Sequence, residues 1–158
     1  MSVVARMPIT RSLGPWLEAI TGRPCGRLQS PPNRPYPYNV LYAIPGGGFE
    51  GPALTAPDAD ASIVFQVNSV ALDPAETEAL GDGVREAFLG RDSKGAFLYQ
   101  PPELPGGWRI IDRTPDGGLG GMEYSGAPTN RVFTMSERYV FHLTPSGTAT
   151  PSFYGGSY

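Results

Sequence analysis

Glycine and proline interrupt this chain so often that regular structure is confined to a few windows. Of 158 residues, 21 are Gly and 18 are Pro, about a quarter of the chain and close to the level at which composition alone suggests disorder. Proline locks φ and removes a backbone donor, and glycine raises the entropy lost on folding, so each cluster of the two ends whatever element precedes it. Against disorder stand 8 Tyr, 7 Phe and 2 Trp, which need a buried home. A chain of this length can bury roughly 68–70% of its extended surface and needs no disulfide to do so.

The uninterrupted windows are readable. Residues 9–22 form a helical pattern with Leu13, Trp16, Leu17 and Ile20 on one face; Gly22 is placed to cap it, and Pro15 suits the first turn of a helix starting near Ser12. Residues 24–37 are a proline-rich connector. Residues 38–44 alternate as a strand that Pro45 should end, and 46–60 read as a long Gly/Pro loop. Residues 61–71 form a second strand. The helix over 73–90 has the fullest set of signals: Asp73 to cap, Pro74 at the first helical position, Glu76 in a variant capping box, and Leu80, Val84 and Phe88 four apart. Gly81 and Gly83 inside it each cost about 1 kcal/mol relative to Ala, which predicts close packing or stabilisation in an assembly. A short strand follows at 107–113, then a loop with five glycines at 116–130. The longest strand spans 132–144, with Phe133, Met135, Tyr139, Phe141 and Leu143 on one face, interrupted by Glu137. These windows predict an α+β domain over 1–145, a small mixed or antiparallel sheet of about four strands flanked by two helices with long Gly/Pro loops, and a flexible tail at 146–158.

Charge is unevenly spread. Residues 1–37 carry +4 and residues 38–158 carry −7 within a net charge of −3. Two surfaces of opposite sign would serve stacking of copies or docking on a partner. No basic helix or strand favours sequence-specific DNA binding. One cysteine, Cys25, excludes an internal disulfide. No apolar run approaches the roughly 20 residues that span a bilayer, and the amino terminus does not read as a signal peptide, so a cytosolic chain, or one carried in an assembly made in a cytosol, is expected.

Candidate chemistry fails on context. Gly46-Gly47-Gly48-Phe49-Glu50-Gly51 spells the G-x-G-x-x-G fingerprint, but Pro52 and Pro57 deny the helix that a pyrophosphate would sit on. Asp58 and Asp60 are too few ligands for calcium. A single His and a single Cys do not make a transition-metal site. His142 lies six residues from Ser136 along one strand, about 20 Å away, so the two cannot act as base and nucleophile; a pairing with Cys25 has no motif behind it. Glu76, Glu78, Asp82 and Glu86 read as the solvated face of their helix. No catalytic, cofactor or metal residues are expected, and the chain is not expected to be an enzyme.

A family resemblance spans residues 8–145. Pro8-Ile9-Thr10-Arg11, Trp16-Leu17, Thr21-Gly22-Arg23-Pro24, Pro37-Tyr38, Leu41-Tyr42, Pro45-Gly46-Gly47 and Gly51-Pro52 occur in the order found in tail-terminator proteins of long-tailed bacteriophages infecting actinobacteria. The same order continues with Asp58-Ala59-Asp60-Ala61, Phe65-Gln66-Val67-Asn68-Ser69-Val70, Val84-Arg85, Gly90-Arg91, Arg138-Tyr139 and Leu143-Thr144-Pro145. The resemblance implies a virion structural protein, assembled in the host cytoplasm. It would form a ring, a hexamer in that family, capping the head-proximal end of the tail. Its partners would be further copies of itself, the major tail tube protein and a head-completion or stopper protein, with DNA passing through the lumen without sequence-specific binding and no membrane involved. The interface candidates are physical: Gly47, Gly48, Phe49 and Glu50 in the Gly-rich loop, the basic Arg23, Arg27 and Arg34, and the acidic Asp116 and Glu123. Alternatives are a head–tail adaptor or stopper of the connector, a small cofactor-free enzyme using His142 or a carboxylate, and a peptide-binding module using 24–37, a segment that could also serve as a ligand for a proline-binding domain.

Overall fold

Residues 6–50, 60–104, 108–118 and 120–145 are described by the computed structural model. Its best-determined element from sequence, helix α2 (Pro74–Leu89), forms as its signals require. Asp73 sits in extended backbone and accepts from Glu76 N at 3.1 Å, with Pro74 at the first position. Leu80, Val84, Ala87 and Phe88 are buried against the sheet. Gly81 is a packing residue: a Cβ there would lie 2.7 Å from Met135 Sδ of the last strand. Gly83 meets nothing within 4 Å, so only one of the two glycines is explained by packing within the chain.

Helix α1 (Arg6–Thr21) begins earlier than expected and holds Pro15 in its interior. The missing hydrogen bond and ring clash cost about 3 kcal/mol in a helix interior. Pro15 and Arg11 both face solvent, so water can bond the freed carbonyl. The turn before Pro15 is retained because it continues a buried stripe, Ile9, Leu13 and Leu17, all within 2% of full burial; each such side chain returns about 1.5–3 kcal/mol. Gly22, at φ 68°, ends the helix and donates to Glu18 O, as its cap reading predicts.

The helices cover one face of a six-stranded mixed sheet: β1 (Cys25–Arg27), β2 (Tyr38–Glu50), β3 (Asp60–Ala71), β4 (Trp108–Pro115), β5 (Met122–Ser125) and β6 (Val132–Pro145). The order is β1-β2-β3-β6-β4, with β5 also on β6. Only β1–β2 is parallel. Because β4 pairs with residues 139–145 of β6 and β5 with 132–135, the two occupy successive stretches of one edge.

Three features depart from the sequence reading. First, β2 runs past Pro45 to Glu50. The register jumps from Ile44↔Val64 to Gly47↔Ile63, so Pro45 falls in a bulge where no ladder hydrogen bond is asked of it. Second, the connector 24–37 contains β1. Its three residues are too few for any alternation, and it is held by β2: Asn39 N donates to Pro24 O at 2.9 Å and Leu28 N to Leu41 O at 3.0 Å. Third, β5 lies inside the glycine-rich 116–130 segment, recruited by the otherwise unpaired edge of β6. The tail at 146–158 lies outside the described residues.

Phe88 stands at the centre of the core. Its ring meets Tyr139 at 4.7 Å and 90°, Phe141 at 5.1 Å and 84°, and stacks on Trp16 at 5.8 Å. Edge-to-face pairs add about 0.5–1.5 kcal/mol each beyond burial. Glu137, the polar interruption of the apolar face of β6, is 8% exposed. Its Oε2 accepts from Tyr139 Oη at 2.8 Å and from Arg85 Nη1 at 3.1 Å. The carboxylate thus ties α2 to the sheet, and burial together with this hydrogen bond pushes the Tyr139 hydroxyl pKa upward.

Candidate assembly interface

The residues singled out for chemistry are kept apart by the fold. Cys25 aligns through β2 and β3 with Met135, seven residues from His142 on β6, about 23 Å along the strand. The Cys25 thiol is pushed up to about 12, first by burial and then by Glu18, and so stays protonated. His142 is half-buried, with Nε2 3.3 Å from Thr114 Oγ1 across the β4–β6 pair. Gly47-Gly48-Phe49-Glu50, expected in a loop, are paired with Ile63, Ser62, Ala61 and Asp60. Their backbone serves a ladder, and the positions 51–59, where a nucleotide-binding helix would open, lie outside the described residues. Asp58 lies outside the described residues. Among the described residues no three His, Cys, Asp or Glu gather as a metal set, and no helix is long and apolar enough to cross a membrane.

The segment 24–37 is not an extended ligand. Leu28, Asn33 and Arg34 have φ of 65°, 63° and 44°, which breaks any polyproline run. Pro31 is buried, and Tyr36 and Tyr38 pack at 5.2 Å beside Val40, Val70 and Val132 on the face away from the helices. Tyr38 Oη and Ser30 Oγ lie 3.2 Å apart. The segment is a folded flap over the outer face.

Charged interface candidates are sorted to opposite edges of the sheet. Arg23, Arg27 and Arg34 are exposed; the stem of Arg27, in β1, lies over Gly14 of α1, whereas Arg23 lines a hollow with Glu76 and Glu86 of α2. Asp116 and Glu123 are exposed on the β4–β5 side, Asp116 tied by its N–H to Arg138 O and Glu123 paired in β5 with Thr134. Four strand spacings separate β1 from β4, about 19 Å.

Two concave regions were missed in the sequence. One is a polar hollow of about 580 Å³ on the outer face. There Arg138 Nε donates to Gln66 Oε1, and Asn68 Oδ1 accepts from both Gln66 Nε2 and Ser136 Oγ. The signal was available as the alternate polar positions of β3 and β6. The other is a groove of about 610 Å³ along β4, walled by Phe97, Pro101, Pro102, Leu104, Ile110 and Ile111, with Arg109 and Arg113 beside them. Nothing in 91–107 marks it, because it arises only when that segment lies against the sheet edge.

Arg113 forms its floor. It is 2% exposed, its guanidinium carbon lies 4.0 Å from the Phe97 ring centroid, and Nη2 donates to Tyr99 O at 2.8 Å and Nη1 to Ala87 O at 3.4 Å. Burial lowers its pKa to about 10, with Arg91 adding to the effect and Asp112 opposing it; at neutral pH it remains a cation. Trp16 Nε1 donates to Gln100 O at 2.7 Å, which anchors the same wall to α1.

No protein-family model and no curated relative matches the sequence. In fold, the chain is similar to a chain in a solved structure of the virion of a native gene transfer agent particle, with a TM-score of 0.50 and 14% identity over 81% of this chain and 84% of that one.

Proposed function

We propose that the chain is a non-catalytic structural protein of a phage-like virion. Within that class, we read it as the tail terminator, a ring that caps the head-proximal end of the tail tube and joins it to head-completion proteins. The supporting observation is the likeness in fold to a virion chain over most of both chains, joined to the ordered motifs of residues 8–145. The sorting of charge to opposite sheet edges agrees with this reading, since subunits of a ring meet through unlike surfaces. Further copies of the chain, the tail tube protein and a stopper protein are its partners on this reading, and DNA passes through the lumen without base recognition.

The test is to add the purified chain to polymerising tail-tube protein and image the products. A terminator shortens tubes and leaves one end decorated by rings. Tubes of unchanged length with bare ends overturn the role. Docking on portal complexes with no effect on tube ends would transfer the chain to the head–tail adaptor reading.

A further inference from the structure

The flap at 24–37 is held at its ends and strained between them. At its start, β1 runs beside β2, Cys25 rests against the main core, and Leu28 N donates to Leu41 O at 3.0 Å. At its close, Tyr36 packs on Tyr38 at 5.2 Å and against the small cluster of Tyr38, Val40 and Val70. Along the way, Leu28, Asn33 and Arg34 stand at φ of 65°, 63° and 44°. Left-handed backbone is unfavourable for a residue with a Cβ, and of these three only Asn tolerates it readily. Leu28 and Arg34 are exposed, so neither recovers that cost by burial.

Little else holds the middle of the flap down. Among the described residues, the backbone hydrogen bonds of 29–37 close on the flap itself: Arg34 N donates to Pro31 O at 3.1 Å and Tyr36 N to Arg34 O at 2.9 Å. Ser30 Oγ, 3.2 Å from Tyr38 Oη, is a polar tie to the sheet. Pro31 is buried close over Gly26, where a Cβ would lie 3.0 Å from Pro31 Cδ. Pro32, Asn33, Arg34 and Pro35 are exposed. A hollow of about 420 Å³ is walled by Cys25 and Gly26 of β1 and by Pro31, Pro32 and Pro35 of the flap. Protein interiors are close-packed, and here the flap bridges a gap.

We propose that residues 28–37 are a strap that opens as one unit while the sheet and both helices stay folded, hinging at Leu28 and unlatching at Tyr36. Opening relieves the left-handed residues and returns the conformational entropy of the ordered segment. It gives up the burial of Pro31 and the ring contact of Tyr36. Few contacts stand on the closed side, which puts the strap at the low-stability end of the molecule. The outer face therefore has two states. Closed, the strap lies over the cluster of Tyr38, Val40 and Val70 on the side away from the helices. Open, it uncovers that apolar patch and leaves β1 and the core in place. The inference concerns the single chain and does not depend on the terminator role.

The experiment is hydrogen exchange on the full chain, read at single amides. The N–H groups of Leu28, Arg34 and Tyr36 report the strap, and those of Val84, Ala87 and Phe88 report the packed face of α2. The strap amides should share one protection level, about 100-fold or more below that of α2, and low denaturant should hardly change it. Leu28→Gly and Arg34→Gly each remove a left-handed penalty against the added freedom of glycine. Each should raise protection at all three strap amides about 3-fold. Tyr36→Ala removes the latch and should lower it about 10-fold at all three. Unchanged chemical shifts in α2 and β6 certify that every variant folds. Strap amides as protected as α2 would mean that the strap opens only with the whole domain, and would overturn the proposal. So would a variant that alters only the amides at its own end, the mark of fraying without a unit, or glycine variants that lose protection, the mark of an unstrained segment.

Discussion

The centre of the molecule and its two edges are built on different terms. In the centre, β3, β6 and α2 meet polar interruptions with partners: Glu137 has Tyr139 and Arg85, Ser69 donates to Asn39 Oδ1 at 2.9 Å, and Gly81 makes room for Met135. At the edges, Leu28 is strained and exposed, and Ile111 bulges from the β4–β6 ladder and is half exposed. The centre is arranged to hold one conformation. The edges carry apolar side chains that the chain itself leaves exposed.

The comparison predicts unequal responses to mutation. The largest is Phe88→Ala, which removes the ring shared by Trp16, Tyr139 and Phe141 and should cost about 3–5 kcal/mol in denaturant unfolding. A loss below about 1 kcal/mol would mean that the centre repacks freely. Next, Arg85→Ala leaves Glu137 buried with one hydroxyl donor. Because Arg85 is about a third exposed, the loss should be about 1–2 kcal/mol, below that of a fully buried pair. Glu137→Gln combined with Arg85→Ala should recover part of it, since the uncompensated charge is gone.

Leu28→Gly should move stability hardly at all or raise it slightly. It relieves about 1–2 kcal/mol of left-handed strain against about 0.5–1 kcal/mol of added chain entropy. A loss of stability as large as that of Arg85→Ala would show that Leu28 serves the monomer, and would blur the division between centre and edge.

A separate effect is expected at alkaline pH. The folded thiol of Cys25 titrates near 12 against 9.0 for its unreacted reference, so above pH 9 the unfolded chain binds fewer protons than the folded one. Stability should therefore fall from pH 9 as the pH rises towards 12. Cys25→Ala should flatten the part of the slope that begins at pH 9, leaving the contribution of Tyr139, whose hydroxyl pKa is also raised, to set in higher. An unchanged slope in Cys25→Ala would assign the whole effect to other groups. Reaction of the native thiol with a disulfide reagent at pH 8 should likewise be slow, because the thiolate is the nucleophile.

Local signals and tertiary decisions separate cleanly in this chain. Sequence by itself determined α2 with its Asp73 cap, the Gly22 stop, strands β3 and β6, and the α+β class, because capping, left-handed glycine and alternation act over a few residues. It also marked the G-x-G-x-x-G run as out of context, through the prolines that follow. Only the tertiary structure decided that Pro15 lies inside α1, where the burial of Ile9 and Leu13 outweighs a broken turn on the solvent side. The same holds for the passage of β2 through Pro45, which depends on a bulge opposite β3, and for β1 and β5, which are too short to exist without the strands that pair with them. The groove along β4 belongs to this second kind. Its walls come from 97–104 and 108–113, and their meeting depends on Arg113 reaching Ala87 and Tyr99 from the sheet edge, an arrangement that no local pattern encodes.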